Sequence, residues 1–260
     1  MIKNFPISKF WINQFLGLLC ALQFFTIIRI TKKVKVTPTR FATTYIPVCG
    51  AIVGTISGYA YYLTFSIFHS YLAATIAIFV QIILTGALHL DGLADCADAI
   101  FGGKDIESRQ RILKDPSLGT FGVLAILIFL LVDIFSLSRF APINGLKIMI
   151  ILNILSRLPF ISLMYLSNQK KEVGTTSSLT TNFQADISKV QVVLSNILLI
   201  PFIIFFGWKA ISLLLVIILI SIKWYRLCIA KLGRFNGDCY GALNEILIAL
   251  NLILLVTISR

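Results

Sequence analysis

Charge is what this sequence has least of. Only 13% of its 260 residues are charged and only 11 are Asp or Glu, whereas a soluble domain carries about 25% charged residues. A water-facing globule is therefore excluded. Cysteine offers no framework either. Cys20, Cys49, Cys96, Cys228 and Cys239 are odd in number and include no close pair, so no disulfide scaffold or zinc site is expected. No internal repeat or low-complexity tract divides the chain, so residues 1–260 are read as one domain.

What is present is apolar. Hydrophobic residues make up 58% of the chain and the mean hydropathy is +0.92. Apolar runs of about 20 residues recur, each long enough to cross a hydrocarbon layer about 30 Å thick as a helix. Backbone polar groups must be satisfied internally in lipid, so these runs are helices rather than open sheet. The expected fold is an all-α, polytopic integral membrane helix bundle with about seven to eight hydrophobic segments. They cover residues 10–30, 45–68, 71–90, 120–138, 148–166, 190–206, 209–224 and 241–258. The first is the weakest, because Asn13, Gln14, Gln23 and Arg29 interrupt it. It follows Lys3 and Lys9 without a convincing small-residue cleavage site and is read as a retained membrane segment. Pro201 and Gly207 mark a tight turn between two later segments.

The net charge of +12 does not imply nucleic acid, because the basic residues follow the topology. Fifteen of the 23 Lys and Arg lie in or beside alternate loops. These are Lys32, Lys33, Lys35 and Arg40; Lys104, Arg109, Arg111 and Lys114; Lys170, Lys171 and Lys189; and Lys223, Arg226, Lys231 and Arg234. The opposite connections hold Arg139, Lys147, Lys209 and Arg260. The positive-inside rule then places the first group in the cytoplasm. The expected location is the bacterial cytoplasmic (inner) membrane, with lipid around a multi-pass protein. The oligomeric state is left open, a homo-oligomer included.

Six of the 11 acidic residues fall between Asp91 and Asp115. In His89-Leu90-Asp91-Gly92-Leu93-Ala94-Asp95-Cys96-Ala97-Asp98, the three Asp stand at i, i+4 and i+7, on one helix face. Like charges so arranged repel unless a cation compensates them. Mg²⁺ prefers carboxylate oxygens and bridges them to substrate phosphates, so Asp91, Asp95 and Asp98 are candidate metal ligands for a diphosphate at the cytoplasmic face. The bland reading is an acidic helix start favoured by the macrodipole. Three acids in register in an acid-poor chain favour the metal.

Complementary chemistry follows. Arg109, Arg111 and Lys114 precede Asp115-Pro116-Ser117-Leu118-Gly119-Thr120-Phe121-Gly122. Gly119 and Gly122 permit close backbone approach, Thr120 can donate a hydroxyl, and a helix starting there offers free N–H groups to a phosphate. A third cluster, Asn236-Gly237-Asp238-Cys239-Tyr240-Gly241-Ala242-Leu243-Asn244-Glu245, opens the last segment. Its Glu245 lies inside the apolar run, where charge is costly and usually functional. Arg157 and Asp133 are also intramembrane. They could pair, or Arg157 could reach a phosphate, and Asp133 has no assigned role. His89 could be a ligand, an acid/base group or an orienting partner.

These motifs, in this order, resemble the cobalamin synthase family, the adenosylcobinamide-GDP ribazoletransferases. The Asp91–Asp98 run resembles its first motif, and Lys114-Asp115 with Gly119-Thr120-Phe121-Gly122 its second. Ser156-Arg157 matches a mid-chain Ser-Arg, and Gly237-Asp238 with Gly241-Ala242 and Glu245 its C-terminal motif. Ala99, Ser117 and Arg234 depart from the pattern. The resemblance implies transfer of the adenosylcobinamide-phosphate moiety of adenosylcobinamide-GDP to α-ribazole or its 5′-phosphate, with release of GMP and Mg²⁺ as cofactor. It further implies substrate binding by Lys114, Asp115, Gly119, Thr120, Arg157 and Gly237, with Asp238, Glu245 and His89 as catalytic candidates. A CDP-alcohol phosphotransferase would share the metal logic but has Arg where this chain has Asp95. A prenyltransferase would show a second Asp-rich motif. A transporter would use Asp133, Arg157 and Glu245 but leave the gathered acidic array unexplained.

Overall fold

The computed structural model describes residues 7–28, 41–169, 187–197 and 208–259, and among these there is no strand. The loops around Lys32–Arg40 and Lys170–Lys171, and the turn at Pro201 and Gly207, lie outside the described residues. The helices are α1 (Ile7–Phe25), α2 (Ile46–Phe65), α3 (Ser70–Thr85), α4 (Leu88–Gly102), α5 (Ile106–Ile112), α6 (Thr120–Leu137), α7 (Pro142–Leu155), α8 (Leu158–Gln169), α9 (Lys189–Ile197), α10 (Trp208–Leu232) and α11 (Gly237–Ile258). A 3-10 turn, Ala42–Tyr45, leads into α2.

Five described spans are long and apolar enough to cross a membrane: Ala42–Phe65, Thr120–Leu137, Pro142–Leu166, Lys209–Leu232 and Gly237–Ile258. The pair α3 and α4, bent by 90°, makes a sixth if counted as one. The two other expected segments are the shorter apolar helix α1 and the region of α9, which runs into residues outside the description. On α6 and α10, Leu127, Ile128, Leu131, Leu215, Ile218 and Leu219 are all exposed. A surface this apolar is lipid-facing.

Two departures from the expected segments matter for the site. The run 71–90 is not one helix. Gly86 and Ala87 are both left-handed, with φ of 60° and 59°, and α3 ends there with the Gly86 N–H bonded back to Ile82 and Ile83. The bend puts His89 and the Asp row on a helix of their own. The run 148–166 begins earlier, at Pro142, and is interrupted at Ser156-Arg157 between α7 and α8. Pro159 sits at the second position of α8, where its missing N–H costs nothing.

The closest helix contact is α2 on α7. Gly50, Gly54 and Gly58, spaced by four, form one stripe whose added Cβ atoms would stand 2.1 Å from the Asn153 carbonyl oxygen, 2.5 Å from that of Met149 and 2.9 Å from that of Leu146. In lipid there is no hydrophobic drive between helices, so such stripes of small residues provide association by close backbone packing. Tyr61 completes the seam from the same face of α2. It is fully buried, and its hydroxyl donates to the carbonyls of Leu137 (3.0 Å) and Phe140 (2.7 Å), joining α2 to the α6–α7 turn.

Candidate active site

The acidic end of the bundle is built where α4 and α11 cross antiparallel. A Cβ on Gly92 would lie 2.7 Å from the Asp238 carbonyl oxygen, and one on Gly241 would lie 3.2 Å from that of His89. Glycine at both points lets the two backbones touch, and this contact brings Asp238 to the Asp row. Asp95 lies within electrostatic reach of Asp91, Asp238 and Asp98. Asp91 is exposed, and Asp95 and Asp238 are half-buried. Gly237, also half-buried, opens α11 beside them. Asn236 caps α11 by accepting the Cys239 N–H (3.3 Å), and its amide donates to Asp238 Oδ2 (2.7 Å), which orients that carboxylate.

Asp98 does something else. It is 8% exposed, and its two oxygens accept the N–H groups of Gly119 and Gly122, each at 2.8 Å. It therefore caps the N-terminus of α6 from a different helix. A Cβ at either glycine would stand 2.4 Å from an Asp98 oxygen. Asp98 thus anchors the start of α6, and its carboxylate takes up these two N–H groups. The reason is that orphan donors and a buried anion satisfy each other. Asp98→Asn turns one acceptor into a donor facing an N–H, and is expected to cost about 2 kcal/mol of folding stability. An unchanged unfolding midpoint in detergent would contradict the anchoring role.

Beside this anchor is a cavity of about 360 Å³, lined by Asp98, Asp115, Ser117, Gly119, Thr120 and Phe121 among others. Three of the expected substrate-binding residues, Asp115, Gly119 and Thr120, thus share one hollow. Lys114 is exposed on the same loop but does not line it. Asp115 accepts the Ser117 N–H at 2.9 Å. The Ser117 hydroxyl and this N–H hold the Asp115 carboxyl below the usual carboxylate range, so it is charged at neutral pH.

A second polar cluster is buried deeper. Glu245 follows Asp238 by seven residues of α11, about 10 Å along the axis. His89 Nδ1 lies 3.9 Å from Glu245 Oε1 and 3.4 Å from Arg157 Nη2. Arg157 is 1% exposed, and its Nη1 donates to the Asn153 carbonyl (2.8 Å) and side-chain oxygen (3.0 Å). Asn153 donates in turn to Gln81 (2.8 Å), Ser156 to Asn244 (2.8 Å) and Asn244 to Glu245 (3.0 Å). Arg157 is therefore a buried link between α4 and α7, and it does not pair with Asp133. Asp133 faces Glu245 across a narrow gap that Gln81 and Thr85 also line. His89 and Glu245 belong to this interior network, apart from the Asp91–Asp95–Asp238 group. Gln81, Asn153 and Asn244 have no role assigned from the sequence. Buried amides inside apolar runs were the signal that could have found them.

Among the described residues no three His, Cys, Asp or Glu side chains converge tightly enough to hold an ion by themselves. The donor set of Asp91, Asp95 and Asp238 nonetheless has the hard oxygen chemistry of a site completed by substrate phosphates and water, the usual form for Mg²⁺.

Fold and site together define a multi-pass membrane protein with an acidic, cavity-bearing end. The profile of the cobalamin-5-phosphate synthase family (CobS) matches residues 17–256. An adenosylcobinamide-GDP ribazoletransferase of Clostridium tetani is 33% identical over 204 residues, covering 77% of this chain and 79% of the relative. That of Vibrio cholerae is 30% identical over 247 residues, covering 93% and 94%. That of Clostridium novyi is 31% identical over 241 residues, covering 88% and 92%. No solved structure matches. The chain belongs to the cobalamin-5-phosphate synthase family.

Proposed function

We propose that this chain transfers the adenosylcobinamide-phosphate moiety of adenosylcobinamide-GDP to α-ribazole or α-ribazole 5′-phosphate, releasing GMP, in a late step of cobalamin synthesis. The ribazole 3′-hydroxyl oxygen forms a bond to the phosphorus bearing the cobinamide. The phosphoanhydride bond to GMP breaks, its electron pair leaves with GMP, and the hydroxyl proton is taken up by a base. The observation that carries this reading is the gathering of Asp91, Asp95 and Asp238 at the Gly92–Asp238 backbone contact, in a chain of this family.

Asp91, Asp95 and Asp238 would hold Mg²⁺, which when bound neutralises charge on the diphosphate and on the leaving group. Asp238, oriented by Asn236 and partly open to solvent, suits this shell better than the buried Glu245. Asp98 holds the loop 115–122 so that Thr120 lines the neighbouring hollow, with Lys114 at its approach. The basic loops on the acidic side support a cytoplasm-facing site in the bacterial inner membrane.

The test is product release by purified full-length protein supplied with adenosylcobinamide-GDP, α-ribazole and Mg²⁺. GMP and a cobalamin product are expected in equal amounts. Folded protein that releases no GMP would remove this function.

A further inference from the structure

Another cavity, of about 530 Å³, lies away from the acidic end. It opens at the other end of the bundle, among the C-terminal ends of α6 and α11 and the N-terminal ends of α7 and α10. Its lining includes Arg139, Lys147, Lys209, Asn144 and Ser259, and no acidic side chain. The chain has no Asp or Glu in residues 134–169, 187–237 or 246–259.

Arg139 follows the end of α6, where a cation is welcome. Lys209 is the second residue of α10 and Lys147 lies in the second turn of α7, near the positive ends of both helix dipoles. Three basic side chains thus meet at one hollow of ordinary ligand size, where two helices begin and two end. Asn144 and Ser259, both exposed, add hydrogen-bonding side chains.

We propose that this cavity binds a phosphate-bearing anion, supplied either by the headgroup of an anionic membrane lipid or as free phosphate. It lies about 30 Å from the acidic end along α11 and is separate from the transfer site. In a bilayer the lipid headgroup is the nearest source, and basic side chains at a membrane surface attract anionic headgroups.

The experiment measures the thermal unfolding midpoint of the purified protein in a neutral detergent. It is titrated separately with phosphatidylglycerol, phosphatidylcholine and inorganic phosphate, and compared with an Arg139→Gln/Lys209→Gln double variant. Phosphatidylglycerol or phosphate should raise the wild-type midpoint and phosphatidylcholine should not. Which of the two acts identifies the source. In the double variant the half-saturating concentration should rise roughly thirtyfold, at about one kcal/mol per basic residue. Equal responses of wild type and double variant, no response to either anion, or an equal response to phosphatidylcholine would each overturn the proposal. GMP release by the double variant should be unchanged without added lipid, which keeps this test independent of the transfer reading.

Discussion

Asp95→Asn is expected to lower GMP release roughly a thousandfold while leaving the protein at least as stable as before. The two effects have one cause. Asp95 stands half-buried among Asp91, Asp98 and Asp238. Neutralising it removes like-charge repulsion from the folded protein, whereas a phosphate-bridging ion loses a carboxylate ligand. The residual activity should need more Mg²⁺ for half-saturation. Asp98→Asn serves as the contrast, since the same chemical change there should lower the unfolding midpoint. Activity near normal in Asp95→Asn, or a loss of stability matching that of Asp98→Asn, would show that the two carboxylates had been assigned the wrong roles.

Gly50→Ala is expected to destabilise the fold by about 3 kcal/mol, more than any ordinary surface change. The added methyl would stand 2.1 Å from the Asn153 carbonyl oxygen and 2.8 Å from its carbon, both backbone atoms. Neither can rotate away, so α2 and α7 must separate along the whole glycine stripe. Arg157 Cδ is 3.0 Å from the same point, so the Asn153–Arg157–His89 network moves with it. Gly102→Ala is the control. Its Cβ would meet only Ile112 Cδ1, at the ordinary distance of 3.7 Å, and its effect should be small. Denaturant unfolding in one detergent measures both. Equal midpoints for the two variants would mean that the α2–α7 seam tolerates separation.

Both predictions depend on which neighbour each residue meets, and this was unevenly legible in the sequence. Asp91 and Asp95 were legible because helical spacing alone puts them on one face, and no partner is needed to know it. Asp98 obeys the same spacing and yet serves differently, because α6 begins against it. No periodicity within α4 can report where another helix starts. Likewise Arg157 was recognisable as an unusual charge in an apolar run, but its partners lie on α4 and α7.

The chain's composition and order of motifs determined the class of fold, the membrane environment and the acidic character of the site, because burial of apolar surface in lipid and helix periodicity are properties of local sequence. Tertiary structure alone decided that Asp98 meets the start of α6 and that Glu245 and His89 stand apart from Asp238. It also gathered Arg139, Lys147 and Lys209 around one cavity. Those outcomes depend on atoms brought within a few ångströms across helices distant in the chain, and electrostatic and hydrogen-bond energies are set by that distance.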